Sequence, residues 1–121
     1  MRVRFGRDDV NDFEKDYIKR QLQRLSEALA RVILGARETG KIDPALEEIK
    51  KTCRSLIGHD ARFLAVIDAG SAALVLREPS KIKAYAELCA AEGELLALRG
   101  DAAAAEAMQK RARELEELAK A

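Results

Sequence analysis

Residues 81–121 read KIKAYAELCAAEGELLALRGDAAAAEAMQKRARELEELAKA, and this stretch decides the fold. Ile82, Tyr85, Ala86, Cys89, Gly93 and Leu96 recur at three- and four-residue steps, which is one face of an α-helix. Arg99 and Gly100 then supply a cation in the last turn and a left-handed C-terminal cap. Asp101 follows as an acceptor for the free N–H groups of a new helix. A second apolar face comes from Ala105, Met108, Ala112, Leu115 and Leu118/Ala119. The alanine run 102–105 has the highest helix propensity available, with side chains small enough for close approach of two helices. A Gly-Asp turn between them makes the two helices antiparallel neighbours.

This hairpin resembles a tetratricopeptide (TPR) repeat. Gly93, Gly100, Ala105 and Ala112 follow one another at spacings of 7, 5 and 7, the small-residue spacing of that repeat. Ala102 and Gln109 stand where the repeat carries aromatics, and no proline closes it.

Working outward, the chain has 121 residues, enough for one domain with one modest core. Its 22 basic and 21 acidic residues leave a net charge of +1, so no strong field for nucleic acid or for an anionic partner is written into the balance. There are three Phe, two Tyr and no Trp, and alanine, leucine, glutamate, lysine and arginine dominate, as in helical bundles. No apolar run approaches the roughly 18–20 residues of a membrane span. The short charged N-terminus has no apolar signal-peptide core, so a cytoplasmic protein is expected.

Residues 1–11 are expected to be a flexible N-terminal arm, alternating Arg2, Arg4 and Arg7 with Val3 and Phe5. The single domain then covers 12–121. Helix one is predicted from Asp12 to Thr39, with the series Ile18, Leu22, Leu25, Leu29, Val32, Ala36 forming a heptad-like seam that Phe13, Tyr17, Ala28 and Ile33 widen. Because this helix outruns its partners, Leu22, Leu25, Leu29 and Val32 are expected to form a homodimer seam. Gly40 ends the helix. Asp43 is expected to cap a second helix at Pro44–Ile57 that buries Leu46, Ile49, Cys53 and Leu56, with Gly58 as its stop. The turn from Gly40 to Ala45 repeats the Gly100 to Ala105 spacing, a weak internal repeat at a period of about 60 residues.

Between the two hairpins lie residues 59–80. Asp60 is expected to cap a short helix over 61–69 burying Phe63, Leu64 and Ile67. Gly70 breaks it, Ser71 starts another short turn through Leu76, and Ser80 caps the helix after Pro79. The run AALVL at 72–76 lacks a partner strand and is read as helical.

The order of these pieces is similar to a family of short bacterial TPR-like proteins of unknown function. The resemblance runs from Phe13 onward and rests on Lys15-Asp16-Tyr17-Ile18, Gly40-Lys41-Ile42, Ala45-Leu46-Glu47-Glu48-Ile49 and Leu56-Ile57-Gly58. It implies helix packing and carries over no catalytic or ligand residues.

The fold expected is therefore all-α, with five to six helices arranged as two TPR-like antiparallel hairpins around a short-helix insertion. The TPR resemblance implies that the inner face of each first helix makes partner contacts, which maps by spacing to Glu27, Ala30, Leu34 and Arg37, and to Glu87, Ala90, Glu94 and Leu98. The expected function is a non-catalytic protein–protein interaction or scaffolding module that self-associates as a homodimer. The alternative is a nucleic-acid accessory protein using Arg20, Arg24 and Arg31, which interleaved Asp12, Glu14, Asp16 and Glu27 disfavour.

No enzyme is expected. Arg54, His59 and Asp60 contain the sole histidine, but no nucleophile is placed with them. Glu87, Glu94, Glu106, Glu114 and Glu117 have helical spacings without the Glu-x-x-His pair of a di-metal bundle, so neither metal nor cofactor is expected. Cys53 and Cys89 each fall on an apolar face and read as reduced core thiols. Lys110, Arg111 and Arg113 with Glu114, Glu116 and Glu117 read as a solvated outer face of the last helix.

Overall fold

The computed structural model describes the backbone of residues 2–120, and side chains at Tyr17 and from Lys19 to Lys120. Six helices and no strand occur among the described residues: α1 (Arg2–Thr39), α2 (Ile42–Ile57), α3 (Ala61–Ala65), α4 (Ala69–Leu76), α5 (Pro79–Leu98) and α6 (Ala102–Lys120). The fold is all-α. Helix α1 begins at Arg2, where the sequence places its start at Asp12. The expectations attached to the side chains of residues 1–11, and to Phe13 and Ile18, lie outside the described side chains.

Helix α5 is the axis of the molecule. It packs most extensively on α6, and also on α2, α1 and α4. Its composition explains the position. Ile82, Ala84, Tyr85, Ala86, Leu88, Cys89, Ala91, Gly93, Leu95 and Leu96 are buried and cover most of the helix circumference, leaving the stripe Lys83, Glu87, Ala90, Glu94, Leu98 less buried. Ala105, Ala112 and Leu115 of α6 meet it, with Met108 and Ala119 packed at the edge. Gly93 lets the two backbones approach. A Cβ there would stand 3.2 Å from the Ala105 carbonyl oxygen and 2.7 Å from Gln109 Nε2, which donates to the Ala90 carbonyl at 3.0 Å.

The turns follow backbone chemistry that is legible in the sequence. Gly40, Gly58 and Gly100 all adopt positive φ after α1, α2 and α5, where a side chain would be strained. The caps differ in detail. Asp43 is not the cap of α2. The helix starts at Ile42 after Lys41, and the Asp43 carboxylate instead accepts from Arg99 Nη1 at 3.0 Å. Arg99 also lies 3.7 Å from Asp101, so one guanidinium ties the turn of the first hairpin to that of the second. Helix α5 starts at Pro79, which takes the first helical position ahead of Ser80.

In the insertion, Asp60 caps α3, accepting from the Arg62 N–H at 2.8 Å. Asp68 caps α4, accepting from Ser71 N–H at 2.7 Å, so Gly70 lies inside a helix rather than ending one.

Three expected faces are turned. In α2, Ala45, Ile49, Cys53 and Ile57 are buried while Leu56 is exposed. In α3, Leu64 is fully buried and Phe63 faces out, its ring tilted 6.5 Å from that of His59. Arg111 on α6 does not join a solvated outer face. It points inward, donating to the carbonyl of Leu64 at 2.5 Å, in the last turn of α3, and to that of Ile67 at 2.9 Å, just beyond the helix.

The seam assigned to a second chain is used inside this one. Leu25 and Leu29 are each 6% exposed in the core, and Leu22 and Val32 pack against it. Helix α5 lies against α1 and gives those leucines an intramolecular partner. Of the four residues expected at a dimer seam, Leu25 and Leu29 are core of this chain and Leu22 and Val32 are partly buried at its edge.

Candidate functional site

Helices α1 and α5, the first helices of the two hairpins, lie side by side, and an open groove of about 570 Å³ runs between them. Helical periodicity decides which side chains line it. On α1 the stripe is Ser26, Ala30, Leu34, Arg37, each three or four residues beyond the last. On α5 it is Glu87, Ala90, Glu94. Leu29, Ile33 and Ala91 form the floor beneath, and Glu116 reaches the groove from α6.

Six of the eight residues expected at a partner-binding face thus line one concavity: Ala30, Leu34, Arg37, Glu87, Ala90 and Glu94. The structure does not place Glu27 or Leu98 in the lining. Both are exposed, Leu98 one turn beyond Glu94 near the end of α5. Five lining residues were not among the eight expected: Leu29 and Ile33, read as the apolar seam of α1, and Ser26, Ala91 and Glu116. Ser26 sits one turn before Ala30 and was available from the same spacing. Glu116 belongs to α6, and no local pattern announces which flank of α5 that helix takes.

The groove combines alkyl surface with carboxylates. Leu34 is 52% exposed beside Ala30 and Ala90, a large apolar side chain left facing water in a recess. Around it stand Glu87, Glu94 and Glu116 against one guanidinium, Arg37. The Ser26 hydroxyl donates to Glu87 Oε1 at 2.5 Å and ties α1 to α5. Glu87 Oε2 is shielded from water and has no hydrogen-bond partner among the described residues. Such a lining holds a ligand by apolar contact and by accepting hydrogen bonds from cations.

The other residue groups singled out in the sequence serve the scaffold. Asp60 is occupied in capping α3, and the His59 carbonyl accepts from the Cys53 thiol at 3.8 Å. Cys53 and Cys89 are buried free thiols. Arg20, Arg24 and Arg31 are exposed on α1. Among the described residues, no group of three His, Cys, Asp or Glu side chains is arranged to hold a metal ion, and no helix is long and apolar enough to cross a membrane. No family model, no curated protein and no solved structure matches the chain.

Proposed function

We propose that this protein is a non-catalytic interaction module whose α1/α5 groove receives a segment of a partner polypeptide. One observation carries the reading. Two helical stripes, separated by some sixty residues of sequence, converge on a recess in which Leu34 stays half exposed beside Ala30 and Ala90. A monomer that buries Leu25 and Leu29 efficiently has no need of an open leucine in a concave site unless something covers it. Exposed apolar side chains in concave surfaces with a few polar groups are the usual form of a binding site.

The test is site-specific photo-crosslinking in cells. A photoreactive side chain at position 34 should capture a discrete protein. The same group at Arg113, on the outer face of α6, should not. Adding Ala90→Arg, which fills the groove, should abolish the capture. Equal labelling from both positions would overturn the proposal.

A further inference from the structure

The lining of the groove also specifies the chemistry of its occupant, provided the groove binds a polypeptide at all. We propose that the occupant is a short cationic segment of a different protein. It seats one alkyl side chain over Ala30, Leu34 and Ala90, and it turns lysine or arginine toward Glu87, Glu94 and Glu116.

Charge is the first argument. The whole chain is almost neutral, at +1. The groove concentrates three carboxylates against the single cation of Arg37, so its negative character is local rather than a property of the surface at large. The second argument is the buried oxygen of Glu87. Ser26 satisfies Oε1, while Oε2 accepts nothing from the described residues. A buried acceptor without a donor carries a desolvation cost that an incoming ammonium or guanidinium removes with a small rotation of the side chain.

Size is the third argument. The stripes from Ala30 to Arg37 and from Glu87 to Glu94 each span about two helical turns, roughly 10 Å. That length accepts roughly three extended residues or two turns of helix. A standard interface between folded copies buries about 800 Å² on each partner, far more than this recess offers. Arg37 stands at the opposite end of the α1 stripe from Ser26, which is bonded to Glu87, and repels a cation at its own end, so the segment has a defined direction, with its basic residues toward Glu87.

A random twelve-residue peptide display library selected on the wild-type protein tests this. Two variants at exposed or groove-edge positions provide the contrast, Leu34→Glu and the double variant Glu94→Lys with Glu116→Lys, each checked for helicity by circular dichroism. Enriched peptides are expected to pair lysine or arginine with leucine, isoleucine, phenylalanine or methionine. They should bind the charge-reversed variant about tenfold more weakly or worse, and should lose affinity as salt rises.

Peptides that need Leu34 yet carry no excess of basic residues, and bind the charge-reversed variant equally well, would overturn the charge assignment and leave the interaction groove standing. Peptides that bind wild type and Leu34→Glu alike would overturn both. Light scattering that shows self-association of the wild type, lost in Leu34→Glu, would overturn the assignment to a different protein in favour of a second copy.

Discussion

Arg111 on α6 holds its guanidinium carbon 5.5 Å from the centre of the Tyr85 ring on α5, and its Nη2 donates to the Tyr85 hydroxyl at 3.1 Å. The same guanidinium reaches the carbonyls of Leu64 and Ile67 at the end of α3. A single side chain therefore joins the α5–α6 hairpin to the inserted helices. Arg111→Ala removes the side-chain donor from the Leu64 and Ile67 carbonyls and from the Tyr85 hydroxyl and is expected to cost about 2 kcal/mol. Urea unfolding measures the loss, and hydrogen exchange should accelerate first across residues 61–76. Tyr85→Phe should cost only about 1 kcal/mol, since the Arg111 bonds to the carbonyls survive. A uniform rise in exchange over the whole chain for Arg111→Ala would show that the link is not local.

Gly93 sets how closely α5 and α6 approach. Alanine there gains about 1 kcal/mol in helix propensity but overpacks against Gln109 and the Ala105 carbonyl at a cost of about 1–3 kcal/mol, for a net loss near 1 kcal/mol. Gln109→Ala removes the side chain that crowds the site. In that background Gly93→Ala should be nearly neutral, a coupling that a double-mutant cycle of denaturation midpoints detects. Additive losses would place the strain at the Ala105 carbonyl instead.

Burial pushes both thiols up, Cys53 and Cys89 each to about 11 from an ordinary 9.0, and the Glu92 carboxylate pushes both in the same direction. The unfolded chain loses these protons near pH 9, while the folded chain keeps them to about pH 11. Across that window the unfolded state binds fewer protons, so stability falls as pH rises. Urea midpoints at pH 8 and pH 10.5 should differ more for the wild type than for Cys53→Ala with Cys89→Ala. Both thiols should react slowly with a disulfide reagent at pH 8 until urea opens the core. Rapid labelling of the native protein would contradict their burial.

Leu29 is core and not seam. Leu29→Ala should cost about 2–5 kcal/mol, read in thermal or urea unfolding, and the solution mass by light scattering should not change. Leu25→Glu should unfold the chain outright, because it introduces a carboxylate at a position 6% exposed among apolar neighbours. A folded Leu25→Glu protein that dissociates from a dimer would return the interface to helix one.

The sequence by itself determined what is local. Helix positions followed from three- and four-residue periodicity, and their ends from Gly40, Gly58 and Gly100, because hydrogen bonds four residues apart and left-handed caps depend on near neighbours only. The stripe Ala30, Leu34, Arg37 and its counterpart Glu87, Ala90, Glu94 were legible for the same reason. The tertiary structure alone decided how the pieces face one another. Helix α5 is apolar over most of its circumference, so its pattern does not say which neighbour takes which side, and only packing assigned α1, α2, α4 and α6 their places. That choice turned Leu56 and Phe63 outward, buried Leu25 and Leu29, drew Asp43 from a cap to Arg99, and brought Glu116 to the groove. It also sent Arg111 inward, since a long cation can reach the carbonyls of Leu64 and Ile67, which lie forty-odd residues away in sequence and are invisible to any local rule.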